Sequence, residues 1–157
     1  MRIIAGEHRG RLLKTPDGMG TRPMLDRVRE AVFSSIGERV IDARVLDLLR
    51  RNVEDLALED RAEIVPADAL ATRSWGGSDA RFELVFFDSP YPMLETGKTR
   101  TAIFAALEKL VTEKIVAKGL VVFHAPKDGV QENEFAPKIK VTLREYGTNA
   151  IFYLERK

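Results

Sequence analysis

Within four residues, Asp88-Ser89-Pro90-Tyr91, the sequence brings together a carboxylate, the carbonyls around a proline and an aromatic ring, directly after the apolar run Leu84-Val85-Phe86-Phe87. This combination suits one chemical problem. The exocyclic amine of a nucleobase is a weak nucleophile because its lone pair is delocalised into the ring, and attack on a methyl group requires that pair to be localised on nitrogen. Acceptors aimed at the two N–H bonds achieve this, while an aromatic face stacked on the base holds it in line. In that reading Asp88 is one acceptor, the carbonyl of Ser89 or of its neighbour is the other, and Tyr91 is the platform. The same four residues also suit a plain turn, with the Asp bonding local backbone and the Tyr covering the core. The motif alone leaves both readings open.

The elements that must position this loop alternate. Arg2–Ala5 and Arg11–Lys14 flank a glycine-containing turn and read as a short hairpin, followed by a loop at 15–20. Thr21 and Pro23 give a helix start, continued by Leu25, Val28, Val32 and Ile36 at helical spacing. A strand over Arg44–Leu48, a helix over Leu49–Leu58, a strand over Glu63–Pro66 and a short helix over Asp68–Trp75 follow. Phe82–Phe87 is apolar enough for a strand covered on both faces. Thr99–Thr112 is a helix with Ile103, Phe104, Leu107 and Leu110 inside, and Gly119–Phe123 is a strand ending at His124-Ala125-Pro126. Lys138–Tyr146 and Ala150–Glu155 alternate apolar and polar residues around Gly147-Thr148-Asn149, the pattern of an antiparallel hairpin. The expected fold class is α/β: a three-layer sandwich with a mainly parallel sheet, a C-terminal antiparallel hairpin and a small N-terminal β-hairpin extension. Ligands of such sheets bind at the carboxyl ends of the strands, which narrows the search to Asp47, Pro66-Ala67-Asp68, Asp88–Tyr91 and His124-Ala125-Pro126.

The chain has 157 residues, 45% of them hydrophobic, and a net charge of +1, and one domain is the working assumption. No apolar run reaches the roughly 18 residues that span a bilayer, so no membrane partner is expected, and a cytoplasmic protein is. With no cysteine and two distant histidines, His8 and His124, a metal centre is not expected. Charge distribution says more than the total. Residues 1–22 carry Arg2, Arg9, Arg11, Lys14 and Arg22 against Glu7 and Asp17, with glycines at 6, 10, 18 and 20. That composition fits either a phosphate-contacting arm or a merely solvated hairpin. Trp75 reads as a helix cap before a flexible loop, and Lys127–Glu134 as a polar surface loop near the cleft. His124 is given no catalytic role, because the amine proton can leave to water.

Arg2-Ile3-Ile4-Ala5-Gly6, the Arg9-Gly10-Arg11 step with Leu13, and Thr21-Arg22-Pro23 followed by Asp26-Arg27-Val28-Arg29-Glu30-Ala31-Val32-Phe33 are the most specific wording in the chain. Val45-Leu46-Asp47-Leu48, Arg51-Asn52-Val53, Ala67-Asp68-Ala69 and Phe86-Phe87-Asp88-Ser89-Pro90-Tyr91 then follow in order. In these motifs the chain resembles the bacterial 16S ribosomal RNA guanine-N2 methyltransferase family, over nearly its whole length. The resemblance implies a Rossmann-like, S-adenosylmethionine-dependent methyltransferase domain over 21–157 preceded by a basic hairpin arm over 1–20. It implies S-adenosylmethionine as co-substrate with no metal, and 16S rRNA or the assembling small ribosomal subunit as partner of a monomeric enzyme in rRNA processing. It makes Asp88, Pro90 and Tyr91 the catalytic loop, Asp68 with Ala69 a contact to the donor's adenine, and Asp47 a neighbour of its methionyl part. Arg9, Arg11, Arg22, Arg27 and Arg29 become the RNA-binding candidates. The family usually has Asp-Pro-Pro before its aromatic. Here the middle residue is Ser89, a mild departure where the acceptor is main chain.

A second departure is severe. Asp47-Leu48 ends a strand and Leu49 begins a helix with no turn residues between, whereas strand-to-helix loops normally take about 2–6 residues. The glycine-rich turn expected to approach the donor is missing, as is a second strand carrying an acid for the ribose hydroxyls; the gap amounts to a unit on the order of 30 residues. Either a segment between Leu48 and Leu49 is omitted and the numbering closed up, which is favoured because a deleted central strand would leave a hole in the sheet, or the protein lacks it. Omission predicts that the carbonyl carbon of Leu48 and the nitrogen of Leu49 lie many ångströms apart. Two further functions are weighed against the RNA enzyme. One is a DNA amino-methyltransferase, which uses the same type of loop, and the other a non-catalytic RNA-binding or ribosome-assembly factor lacking the donor site.

Overall fold

The computed structural model describes residues 3, 6–12, 53, 55–63, 68–71, 75, 79–95 and 97–157. The chain divides into two compact units, 1–37 with 47–66, and 38–46 with 67–157. The strand over Arg44–Leu48, the Leu48–Leu49 junction, the helix from Thr21 and all of the Glu63–Pro66 strand but Glu63, which is exposed and in no strand, lie outside the described residues, as do Arg22, Arg27, Arg29 and Asp47.

In the second unit the elements run β1 (Phe82–Asp88), α1 (Pro92–Glu95), α2 (Gly97–Lys109), a single π turn over Leu110–Lys114, β2 (Ile115–Pro126), a 3-10 turn over Glu132–Glu134, β3 (Ile139–Tyr146) and β4 (Asn149–Arg156). The four strands form one sheet in the order β1-β2-β4-β3. β1 and β2 are parallel, and β4 runs antiparallel to both β2 and β3. Among the described residues the sheet therefore holds one parallel pair and two antiparallel ones. A crossover is obligatory between parallel neighbours, and α1 and α2 supply it.

The register follows from side-chain chemistry. Val85, Val121, Phe123, Phe152 and Leu154 all point to one face, where they meet Ile103, Ala106, Leu107 and Leu110 of α2 and its π turn. Phe123 is the centre of this layer, with the rings of Phe87, Phe104, Phe135 and Phe152 at centroid distances of 5.9, 6.5, 6.3 and 5.9 Å. Leu84, Leu120, Val122 and Ile151 occupy alternate positions and are buried as well. Both faces of the central strands are thus removed from water, as the continuous apolar runs require. The π turn would leave its carbonyls exposed. Arg156 of β4 closes it, donating to the carbonyls of Val111 and Thr112 at 3.3 and 2.5 Å. Gly147, at φ +61°, makes the tight connection from β3 to β4.

Two local expectations change. The stretch Asp68–Trp75, expected as a short helix, is a turn in its described part. Asp68 Oδ1 accepts the Leu70 N–H at 2.9 Å and the Asp68 carbonyl accepts from Ala71, so the acid's own side chain competes with a helical ladder. Trp75 is not a cap before a loop but a core residue, 5% exposed, with its indole N–H on the Ala69 carbonyl at 2.9 Å.

In the first unit, Ile3 and its partners close a turn. The Ile3 N–H bonds the Arg11 carbonyl at 3.0 Å and the Gly10 N–H returns to the Ile3 carbonyl at 2.9 Å. Gly6 and Gly10 take φ of +83° and +86°, which only glycine adopts without strain. Val53 and Asp55 are helical, and this helix ends at Ala57 (φ 54°), where the Leu58 N–H reaches back to the Val53 carbonyl at 3.0 Å.

Candidate active site

At the carboxyl ends of β1 and β2, Asp88 and His124 are paired in register, and the first residue of β4, Asn149, stands opposite Pro126 two positions further along. The sheet order alone brings these three residues to one edge. Their side chains complete the arrangement. His124 Nδ1 is 2.9 Å from Asp88 Oδ1, while Nε2 is 2.8 Å from both the Tyr91 hydroxyl and Asn149 Oδ1. The Tyr91 hydroxyl donates to Asn149 Oδ1 at 2.8 Å. Asn149 is itself oriented, because its Nδ2 donates to the Tyr146 carbonyl at 3.2 Å. The Tyr91 ring stands edge-on to the imidazole, centroids 5.4 Å apart.

The burial of the group is graded. The His124 side chain is 5% exposed, whereas that of Asp88 is 57% exposed. A carboxylate open to solvent is thus fixed from behind by a buried ring. Burial by itself pushes the imidazole pKa down, but the hydrogen bonds to Asp88 and Asn149 and the charge of Asp88 outweigh it and hold His124 above its ordinary value.

The loop after β1 is shaped by α1. The carbonyls of Pro90 and Tyr91 accept the N–H groups of Met93 and Leu94, both at 2.9 Å. Ser89 is buried, and its hydroxyl has no hydrogen-bond partner among the described residues. Beyond Tyr91 opens a cleft of about 760 Å³ whose wall includes Leu94, Glu95, Lys127, Asp128 and Thr148; Asp88 does not line it. Arg100 braces that wall, donating to the carbonyls of Leu94 and Gly129 at 2.7 and 2.8 Å and pairing with Glu134 at 2.7 Å.

Of the residues singled out in the sequence, Asp88 and Tyr91 converge, through His124. Pro90 is exposed beside them. Asp68 and Ala69 lie exposed in their own turn of the same unit. Arg9 and Arg11 are exposed in the first unit. Asp47, Arg22, Arg27 and Arg29 lie outside the described residues. His124 and Asn149 were missed as contributors. The strand end at His124 was legible and Asn149 was read as a turn residue, but their convergence comes from strand order and register, which no local spacing encodes.

The chain belongs to the family described as conserved hypothetical protein 95, whose match covers residues 1–50 and 41–155 in two overlapping pieces. Ribosomal RNA small subunit methyltransferase D of Escherichia coli (strain K12) is 49% identical over 47 residues, which are 30% of this chain and 24% of that protein. The matched stretch therefore spans about a quarter of that relative's length. Among solved structures, the chain resembles the Escherichia coli protein named "putative methyltransferase yhhF", with a TM-score of 0.72 at 19% identity, covering 100% of this chain and 98% of the other. An O-methyltransferase family protein from Burkholderia thailandensis matches with a TM-score of 0.55 at 11% identity, over 83% of this chain and 57% of the other. The fold is the Rossmann-like one of these methyltransferase structures.

Proposed function

We propose that this protein transfers a methyl group from S-adenosylmethionine to the exocyclic amine of a guanine, N2, in 16S ribosomal RNA. The observation that carries the reading is Asp88. Its carboxylate is open to solvent at the carboxyl end of β1, is held by His124 at 2.9 Å, and stands three residues from an aromatic ring whose hydroxyl is tethered to the same imidazole. The family and the methyltransferase fold neighbours support it, as does the name of the Escherichia coli relative.

In this reading Asp88 Oδ2 accepts one amine N–H and the Ser89 carbonyl accepts the other, since the Pro90 and Tyr91 carbonyls already serve α1. Withdrawing both N–H bonds toward acceptors localises the nitrogen lone pair, and the Tyr91 ring supports the base. S-adenosylmethionine supplies a methyl group on a sulfonium, an electrophile that needs no metal. The residues at hand fit such a co-substrate. Ser89 carries a buried hydroxyl lacking a partner among the described residues, and Asp68 presents an exposed carboxylate beside Ala69, suited to an adenosine's polar edge. Asp47 is assigned to the methionyl end. Arg9, Arg11, Arg22, Arg27 and Arg29 are assigned to RNA phosphates. The hairpin over 1–20 acts as the RNA-contacting arm of a methyltransferase domain over 21–157, in a cytoplasmic monomer acting on 16S rRNA or the assembling small subunit.

One observation favours a second reading. The family match breaks into two pieces that meet at 41–50, the region in which the sequence lacks the donor-approaching turn. A chain truly without that turn would be an RNA-binding or assembly factor. Isotope-labelled methyl transfer from S-adenosylmethionine to small-subunit rRNA separates the two. Labelled N2-methylguanine is the expected product, and RNA binding without donor binding or transfer would establish the non-catalytic reading.

A further inference from the structure

We infer that His124 is a positioning residue that works as an imidazolium, one ring N–H holding the Asp88 carboxylate and the other holding the Tyr91–Asn149 pair, so that both arms of the catalytic loop are fixed by one proton. The inference rests on the proposed amine-methylating role of Asp88 and Tyr91, and it goes further by assigning a function to a ring that this chemistry does not itself require.

The argument is a count of protons. Asn149 Nδ2 is committed to the Tyr146 carbonyl, so Oδ1 faces His124 Nε2 and the Tyr91 hydroxyl and can only accept. Asp88, ionised, also only accepts. A neutral ring with its proton on Nδ1 could accept the Tyr91 O–H at Nε2, but Asn149 Oδ1 would then face the Nε2 and Tyr91 oxygen lone pairs, each at 2.8 Å, with neither group donating to it. With its proton on Nε2 the ring would set the Nδ1 lone pair against Asp88 Oδ1 at 2.9 Å. Neither tautomer satisfies both sides. With two ring N–H groups, Nδ1–H goes to Asp88, Nε2–H goes to the Asn149 and Tyr91 oxygens, and the single Tyr91 proton goes to Asn149 Oδ1. At 5% exposure the ring has little access to water that could repair a mismatch.

The groups facing the imidazole, element by element, agree with a cation. β1 contributes the carboxylate of Asp88, the loop before α1 contributes Tyr91, and β4 contributes the neutral Asn149. Lys127, just past the end of β2, is paired with Glu145 at 3.0 Å. The direction of the His124 pKa, upward despite burial, is what this environment should produce.

The consequence concerns aim. Holding Oδ1 leaves Oδ2 to meet the amine, and tethering the Tyr91 hydroxyl fixes the plane on which the base rests. When the ring loses a proton, one arm must let go. Methyl transfer should therefore decline as pH rises through the His124 pKa, in kcat rather than in KM for RNA, because no RNA contact is made by the ring itself.

The test uses the full chain and three measurements. Imidazole nitrogen NMR near neutral pH should show two protonated nitrogens for His124, with the only other histidine, His8, replaced by Gln for assignment; a single-N–H ring overturns the inference whether or not the protein methylates anything. The wild-type pH profile of kcat should fall on its alkaline side, and His124→Gln, which keeps an amide donor but cannot titrate, should lose that limb while kcat drops on the order of 10²-fold and KM for RNA stays within about threefold. An unchanged kcat and an unchanged profile in that variant overturn it. Should His124→Gln fail to fold, the wild-type profile and the nitrogen spectrum still decide. A wild type that binds RNA yet transfers no methyl group defeats the proposed function instead, and leaves the nitrogen spectrum to judge the ring.

Discussion

Asp88 and His124 are partners across the parallel strand pair, and their side chains meet at 2.9 Å over the carboxyl edge of the sheet with the carboxylate outermost. The acid is steadied by the neighbouring strand, so anything that shifts β1 against β2 also shifts it. Three consequences concern this pair and the layer beneath it, and a fourth concerns the brace beside it.

The first is a pH dependence of stability. His124 is held above its ordinary pKa, so the protonated ring is favoured in the folded chain relative to the unfolded one. The stabilisation is fully present below histidine's ordinary value and is lost as pH rises through the raised one. Urea unfolding of the wild type and of His124→Gln, at pH values from about 6 to about 9, should give a stability difference that shrinks as pH increases. A difference constant with pH would assign the ring to packing alone.

The second concerns Asp88→Asn. The substitution keeps the shape but removes the charge, so the amine loses its strongest acceptor and His124 loses the partner that holds its pKa up. Methyl transfer should fall by about 10²–10³-fold, with RNA affinity within about twofold, since a phosphate-bound RNA does not depend on this carboxylate. The His124 pKa, followed by NMR, should move down at the same time. Lost RNA affinity with unchanged turnover would contradict the role given to Asp88.

How far these features were legible in the sequence depends on the range of the interaction that makes them. Phe82–Phe87 could be read to within one residue of β1 because an unbroken apolar run has few alternatives. The hairpin emerged as Ile139–Tyr146 and Asn149–Arg156 because the alternation of β3 and a glycine at the turn are local signals; β4 itself departs from the expected alternation, being a continuous apolar run buried on both faces. β2 is a longer strand than Gly119–Phe123. It begins at Ile115, which pairs with Phe82 across an irregularity in register, and those first residues carry no strand pattern of their own. The π turn over Leu110–Lys114 continued the helical apolar spacing and so read as part of the helix. The acid and the aromatic of the site were visible because four adjacent residues carry them. His124 was visible as a strand end but was given no role, and Asn149 read as part of a turn, because residues separated by 25 positions meet only once β2 and β4 are paired.

The third consequence lies under the site. Phe123 precedes His124 and is fully buried among four other phenylalanine rings. Phe123→Ala should destabilise the fold by about 3–5 kcal/mol, the cost of a lost large side chain plus the cavity it leaves. Phe123→Leu should cost less. Chemical denaturation measures both. Near-equal losses would mean that the layer collapses around either residue and that the aromatic cluster adds nothing beyond apolar volume.

The fourth consequence is carried by Arg100, which ties Leu94 after the catalytic loop to Gly129 after β2 and to Glu134, while its guanidinium lies 5.4 Å from the centre of the Phe104 ring. Two carbonyls and a carboxylate on one planar cation make a brace, and removing it takes this donor from both carbonyls while Glu134 keeps the Gln131 N–H. Arg100→Ala should cost about 2–3 kcal/mol, whereas Lys138→Ala, which breaks only the more exposed pair with Glu108 at 2.8 Å, should cost about 0–1 kcal/mol. Burial pushes the Glu134 pKa up, but the Arg100 hydrogen bonds, the Gln131 N–H and the Arg100 charge outweigh it and lower it overall. This contribution is therefore present above the ordinary glutamate value and is lost as pH falls through the lowered one. Acid titration of stability should consequently narrow the gap between wild type and Arg100→Ala at low pH without closing it, since the two carbonyl bonds do not titrate; this is the opposite direction from the His124 comparison. Hydrogen exchange at Gly129 and Val130 should quicken in the variant, and unchanged exchange there would show that the loop after β2 holds its place without the arginine.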